Sequence, residues 1–340
     1  MTLPSPATLL KKAALFLVEI VAFTLLAQAA ASVLFSLPID GIAAQLAIWF
    51  AFGLVLLGLG WIFNKSFRSQ GIRELGFRFH KNLGTDVWLG VCGFALLNLL
   101  SLPFDLAALQ DRAKSAHELL GMVHLSTPFQ ILVGGTAFAA ALGFFTGAFH
   151  EEIRFRGYYQ GAGSNEVSPL AGVLIALVPF SLGHYYAQPD WTLIQVLATI
   201  VPGIVYGVLY NATGSLVVVM TTHTLVNVLS FVGFLLSELM GTRAAATFTL
   251  AVLALLSLLV VVLRWNRELQ EWRCATRRLF AGRPFLEISI GIAMGLALLA
   301  IWPLHFSPVY SLLAGTGLFG ITLAAKRILA KGSVTDTAHV

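Results

Sequence analysis

Long runs of apolar residues alternate with short polar segments along the chain. Several runs reach the roughly 20 residues that a helix needs to cross a bilayer, and they lack the alternation typical of strands. Lipid offers the backbone no hydrogen-bond partner, so such runs are expected to be helical. The pattern predicts spans at approximately 13–36, 43–63, 87–106, 128–158, 168–187, 192–211, 214–238, 244–263, 286–303 and 308–325. The predicted fold is an all-α, polytopic transmembrane helix bundle of about 8–10 spans.

Composition also indicates a membrane protein. Of the 340 residues, 58% are hydrophobic and only 11% are charged, whereas soluble domains carry about a quarter charged residues. The net charge of +5 does not indicate nucleic-acid binding, because the Lys and Arg residues lie at alternate ends of the apolar runs. All Lys and Arg residues except Arg112, Lys114 and Arg243 are predicted to lie on one side of the membrane. We therefore expect a multi-pass protein of the cytoplasmic (inner) membrane with both termini in the cytoplasm.

Ionisable and amide side chains interrupt three of the apolar helices. The segments read HEEIRFRG from residue 150, FSLGH from residue 180 and HTLVN from residue 223. Each such group costs a few kcal/mol at the bilayer centre unless it faces protein or water. Their occurrence together indicates one shared functional site. The isolated Glu19 is expected instead to bond to neighbouring helices.

Helical spacing gives the first segment a geometry. Glu152 and Arg156 lie four residues apart and are predicted to pair on one face. Glu151 is turned by about 100° and shares its face with Gly147 and Gly143. These glycines are expected to leave open space beside Glu151, while glycines four apart in general indicate close helix packing.

The other two segments have the same four-residue spacing. His223 and Asn227 can therefore point at one object, and Phe180 can flank His184. Counting 1.5 Å per residue from the helix ends places His184 about 10 Å deeper than the other motif residues. This mismatch requires either a kink at Pro179 or an interfacial start of that helix.

Two familiar hydrolase signatures are absent. His150 and Glu151 begin like the zinc motif HExxH, but Arg154 stands where the second histidine is needed. No G-x-S-x-G segment occurs, so a serine mechanism loses support.

Three motifs then occur in a family order on separate hydrophobic segments: EExxxR from Glu151, FxxxH from Phe180 and HxxxN from His223. In this pattern the chain resembles the CPBP intramembrane proteases, which include the CAAX prenyl endopeptidases of the Rce1 type and bacterial bacteriocin-immunity (Abi) proteins. The resemblance covers roughly residues 128–240. It implies an all-helical fold with a cavity open to the cytoplasm.

The resemblance also implies which residues are catalytic: Glu151, Glu152, Arg156, His184, His223 and Asn227. Glu151 and His184 would activate a water molecule for attack on a peptide carbonyl. His223 and Asn227 would hold the oxyanion. The pair of Glu152 and Arg156 would fix the helix face.

A metal site is the alternative mechanism. Zn²⁺ held by Glu151, His184 and His223 would match the His₂Glu ligand set of catalytic zinc sites. We favour a mechanism that requires no cofactor, because Asn227 beside His223 suits an oxyanion site better than a group that supports a zinc ligand.

The chain is predicted to divide into N-terminal transmembrane helices at 1–127, a CAAX-protease-like catalytic core at 128–240, and C-terminal transmembrane helices at 241–340 with a basic cytoplasmic loop at 264–285. The predicted function is an intramembrane endopeptidase. Its partners would be membrane lipid and a membrane-associated peptide or protein substrate, with or without a lipid modification, and no nucleic acid. The alternatives are a polytopic transporter, because buried carboxylates and histidines also line ion paths, and a non-catalytic peptide-binding membrane protein.

Overall fold

The computed structural model describes residues 4–98, 100, 136–187, 193–240, 251–252, 255–259, 273–274, 276–301 and 307–335. Within these ranges the chain forms helices joined by turns and contains no strand, which confirms the all-α prediction. The main helices, in chain order, are α1 (Pro6–Phe35), α2 (Ile42–Arg68), α3 (Leu83–Asn98), α4 (136–166), α5 (Pro169–Ala187), α6 (Leu193–Thr213), α7 (Leu216–Met240), α8 (Pro284–Ile301) and α9 (Pro308–Thr335). A short 3-10 helix, Ile72–Leu75, follows α2.

The described helices are those of a multi-pass membrane protein. Among them, α1, α2, α8 and the Pro308–Leu329 part of α9 are long and apolar enough to cross a membrane. Shorter apolar stretches lie in α3, α5 and α7. Most of the predicted spans therefore correspond to helices.

Three of the sequence predictions fall partly or largely outside the described residues. The span predicted at 87–106 is described as helix through residue 98 and at residue 100, and the one at 128–158 from residue 136 onward. The span at 244–263 and the basic loop at 264–285 are described only in short pieces.

Helix α4 changes its hydrogen-bonding pattern along its length. Gly143–Ala148 and Ile153–Gln160 are π-helical, and the α-helical segment Phe149–Glu152 lies between them. Turns of π-helix are rare and are frequently found at functional sites. The two adjacent glutamates, Glu151 and Glu152, thus lie at a junction between the two helix types.

Small residues let α8 approach α5 closely. A methyl group added at Gly291 would lie 2.7 Å from Leu174 Cβ, and one added at Gly295 would lie 2.6 Å from Val178 Cβ. Neither position has room for a larger side chain unless the helices move apart. This contact confirms that these spaced glycines serve close helix packing.

A buried ion network joins α1, α2, α4 and α9. Glu19 is fully buried and accepts hydrogen bonds from Tyr158 Oη (2.5 Å), Arg68 (2.6 Å) and Lys326 Nζ (2.9 Å). Glu166, at the end of α4, pairs with the same two cations at 3.1 and 2.7 Å. Two carboxylates thus face two cations, which confirms that Glu19 bonds to neighbouring helices.

The substitution Lys326→Met should lower the melting temperature of the purified protein in detergent, because Glu19 and Glu166 lose a shared cation inside the bundle. Removing one partner of a buried ion pair destabilises a protein by about 3 kcal/mol or more. The matched control is Arg327→Met, which removes the same charge from the exposed neighbouring position. Equal melting temperatures for the two variants would contradict this role of the network.

Candidate active site

The adjacent glutamates of α4 have different environments. The Glu152 side chain is fully buried, and its Oε1 atom lies 2.7 Å from His223 Nδ1. The Glu151 side chain is 22% exposed, and its Oε2 atom lies 3.9 Å from His223 Nε2. His223 of α7 therefore lies between two carboxylates, with one at each ring nitrogen.

The hydrogen bond to Glu152 determines which nitrogen of His223 carries the proton. An ionised carboxylate only accepts hydrogen bonds, so His223 Nδ1 donates to Glu152. In the neutral ring, Nε2 then keeps a lone pair on the side that faces Glu151. A carboxylate on one nitrogen thus leaves the other nitrogen ready for proton transfer.

Arg156 holds Glu152 from the other side. Its guanidinium is nearly fully buried and donates to Glu152 Oε1 and to the Gly203 carbonyl, both at 3.3 Å. Its central carbon lies 4.2 Å from the ring centroid of Phe180 and 5.1 Å from that of Tyr206. The predicted pairing of Glu152 with Arg156 is confirmed, and two aromatic rings enclose the cation.

His184 of α5 lies beside the same aromatic ring as His223. The ring of Phe180 is 5.2 Å from the ring of His184 and 6.2 Å from that of His223, in edge-to-face arrangements. His184 Nδ1 lies 2.6 Å from the Phe180 carbonyl oxygen, so Nδ1 donates and Nε2 has the lone pair.

The two histidines meet beside one aromatic ring despite the predicted difference in depth. α5 begins at Pro169 and continues as a helix through Pro179. Both histidines thus contact Phe180 although the count placed one of them deeper.

Asn227 of α7 packs against the first π-helical segment of α4. Its Nδ2 atom donates to the Gly143 carbonyl at 3.1 Å. A methyl group at Gly143 would lie 2.7 Å from Asn227 Cβ, and one at Gly147 would lie 3.0 Å from Asn227 Nδ2 and 3.9 Å from His223 Nε2. The expected open space beside Glu151 is therefore occupied, because the glycines make room for the face of α7 that carries His223 and Asn227.

Tyr206 of α6 is a site residue that the sequence reasoning missed. Its ring stacks on His223, with centroids 5.0 Å apart and an angle of 26° between the planes. α6 carries none of the three motifs, and a tyrosine in an apolar span has no pattern that separates it from a packing residue. Its place between Gly203 and Gly207 is a signal only of close helix packing.

The described residues do not fit a zinc ion as they are arranged. Among them, no three His, Cys, Asp or Glu side chains form a group suited to a metal. Two ligands of a tetrahedral zinc ion lie about 3.3 Å apart, whereas Glu151 and His223 are separated by 3.9 Å. The zinc alternative, with Glu151, His184 and His223 as ligands, stays a prediction.

The substitution Gly143→Ala should lower the melting temperature and weaken the bond from Asn227 to residue 143, because the new methyl group would overlap Asn227 Cβ. Overpacking of this kind typically destabilises by about 1–3 kcal/mol. Gly58→Ala is the control, since a methyl group there meets nothing within 4 Å. A Gly143→Ala protein as stable as the control would contradict the tight contact between α4 and α7.

Comparison with known families places these residues in one segment. Residues 132–229 match the family described as type II CAAX prenyl endopeptidase Rce1-like, and this segment contains all six candidate catalytic residues. The chain matches no curated protein and no solved structure. The match confirms the resemblance to the CPBP intramembrane proteases. Over residues 132–229 the chain is therefore similar to the Rce1-like type II CAAX prenyl endopeptidases, a similarity that supports the peptidase class.

Proposed function

We propose that the protein is an intramembrane endopeptidase in which Glu151 and His184 activate water while His223 and Asn227 hold the oxyanion. The observation that carries this proposal is the position of His223, with Nδ1 on Glu152 and Nε2 facing Glu151. The family match supports the peptidase class.

Glu151 is suited to act as the general base. Its Oε2 atom is buried, has no hydrogen-bond partner among the described residues, and faces His223 Nε2 at 3.9 Å. This separation is too long for a direct hydrogen bond but can be bridged by one water. Glu151 would take a proton from that water, and the resulting hydroxide would attack the peptide carbonyl.

His184 would share the same water. Its Nδ1 proton is held by the Phe180 carbonyl, which leaves Nε2 as an acceptor. A second acceptor orients the lone pair of the water toward the substrate. This orientation lowers the entropic cost of the attack.

Negative charge then develops on the carbonyl oxygen of the substrate. His223 can donate to this oxygen from Nε2 when it enters the cycle as the imidazolium, the form that Glu152 on Nδ1 stabilises, and it keeps this proton throughout. Asn227 lies one turn further along α7, and its amide nitrogen carries a second hydrogen besides the one donated to Gly143. Donors held ready in a site of low dielectric constant provide most of the stabilisation of such a transition state.

The reaction ends when the carbon–nitrogen bond breaks. The proton that Glu151 took from water passes to the departing amine, so one water is consumed per bond cleaved and the site returns to its starting state. Arg156 would keep Glu152 in place throughout.

The substrate would be a peptide or protein at the membrane. The similarity to type II CAAX prenyl endopeptidases supports a peptide ending in a CAAX sequence as the first probe, with and without a prenyl group on its cysteine. The charge distribution supports the cytoplasmic membrane with cytoplasmic termini.

Purified protein in detergent should cleave a quenched fluorescent peptide that ends in a farnesylated CAAX sequence. Glu151→Ala and His184→Ala should each lower kcat by about 10²–10⁴-fold, because each removes an acid–base group, while the melting temperature is retained. Asp40→Asn, at an exposed carboxylate, serves as the control. Undiminished cleavage by both alanine variants would remove the mechanism, and proton flux into liposomes that depends on Glu151 would support the transporter instead.

Chelation tests the mechanism against its zinc alternative. After treatment with 1,10-phenanthroline and gel filtration, the protein should retain its cleavage rate, because the proposed steps use side chains only. Zinc content measured on the same samples provides a second readout. If cleavage is lost and then restored by one equivalent of Zn²⁺, and if His184→Ala and His223→Ala lower the zinc content, the metal-free proposal is wrong.

A further inference from the structure

We propose that Tyr206 is a positioning residue that fixes the plane of the His223 ring, so that Nε2 stays directed at Glu151. This inference rests on the proposed function of His223. It extends the site to α6, a helix that contributes none of the sequence motifs.

The hydrogen bond to Glu152 is not sufficient to orient His223. That bond holds one ring atom, Nδ1, at 2.7 Å from the carboxylate oxygen. Small changes in the side-chain torsions χ1 and χ2 could keep this bond and still tilt the ring, which would turn Nε2 away from Glu151. A second contact, against the face of the imidazole, is needed to fix the plane of the ring.

Tyr206 provides this contact, and Phe180 adds a perpendicular one. The Tyr206 ring is stacked on His223 at 26°, whereas the Phe180 ring meets His223 at 85°. Offset-stacked and edge-to-face arrangements are the two that aromatic rings prefer. The two rings together thus limit the rotation of the imidazole.

Tyr206 is itself fixed by the group that holds Glu152. The Arg156 guanidinium lies over the Tyr206 ring and donates to the carbonyl of Gly203, three residues earlier on the same helix face. Tyr206, His223, Glu152 and Arg156 therefore form a closed ring of contacts. Moving one member changes the position of the others.

The sequence around Tyr206 lets the ring enter the site. Gly203 faces Leu177, and a methyl group at Gly207 would lie 3.0 Å from Val173. Larger residues at either position would hold α6 away from α5. The glycines thus bring Tyr206, which is 1% exposed, into contact with His223.

Two variants separate positioning from packing. Tyr206→Phe keeps the ring, and Tyr206→Leu removes it. Tyr210→Leu is the matched control, because Tyr210 is a buried tyrosine one turn further along α6 that packs near Gly76 and Gly161.

In the cleavage assay with the farnesylated peptide, Tyr206→Leu should lower kcat on the order of 10²-fold, as expected when a catalytic group is misplaced. KM should stay near that of the wild type, and Tyr206→Phe should restore kcat. Tyr210→Leu should keep kcat even if it lowers the melting temperature. A Tyr206→Leu variant with unchanged kcat, or with a loss that tracks its melting temperature as in Tyr210→Leu, would overturn the inference.

A second readout does not depend on cleavage. In ¹⁵N spectra of histidine-labelled protein, the His223 signals can be assigned from their loss in His223→Gln. Tyr206→Leu should shift the two ring-nitrogen signals of His223, and Tyr206→Phe and Tyr210→Leu should not. An inactive wild type with this pattern would refute the proposed function alone, whereas identical His223 signals in Tyr206→Leu and wild type would refute the role of Tyr206.

Discussion

The contact between Glu152 and His223 is the constraint on which the site depends. A fully buried carboxylate in a membrane bundle must be paired, and Glu152 is paired with an imidazole from α7 and with Arg156 from its own helix. This pairing brings α7 against α4, and the cation is enclosed by rings from α5 and α6. Residues from the four helices α4, α5, α6 and α7 therefore surround the ion pair of Glu152 and Arg156. Glu151 is left partly exposed beside them, which suits a group that handles water and substrate.

Segments without any motif support this arrangement. α4 carries both glutamates and ends at Glu166, which pairs with cations from α2 and α9. Helix α9 lies outside the family match, yet through Lys326 it bonds both to α1 and to the end of α4. The charges at that end of α4 are thus satisfied within the bundle. Ion pairs thus hold α4 at its middle through Glu152 and at its end through Glu166.

The sequence predicted those features that follow from residue spacing within a single helix. Apolar length identified the helices, and a separation of four residues identified the pair of Glu152 and Arg156. Spacing does not tell which face of one helix meets another, so it did not assign His223 Nδ1 to Glu152 or find Tyr206. The spacing argument also assumed α-helical geometry, whereas π-helical segments flank the glutamates. The Gly143 carbonyl in the first of these segments accepts a hydrogen bond from Asn227, a residue distant in sequence. The glycines signalled close packing but not which side chain would use the space.

The proposed mechanism requires that an acid, two imidazoles and an amide from three membrane helices surround one hydrated pocket. An experimental structure in lipid nanodiscs, at a resolution that shows ordered water, measures this directly. The Glu151 carboxylate should lie within the reach of one bridging water from the rings of both His184 and His223. A structure in which Glu151 faces another part of the bundle, too far from both rings for any single water to bridge, would contradict it.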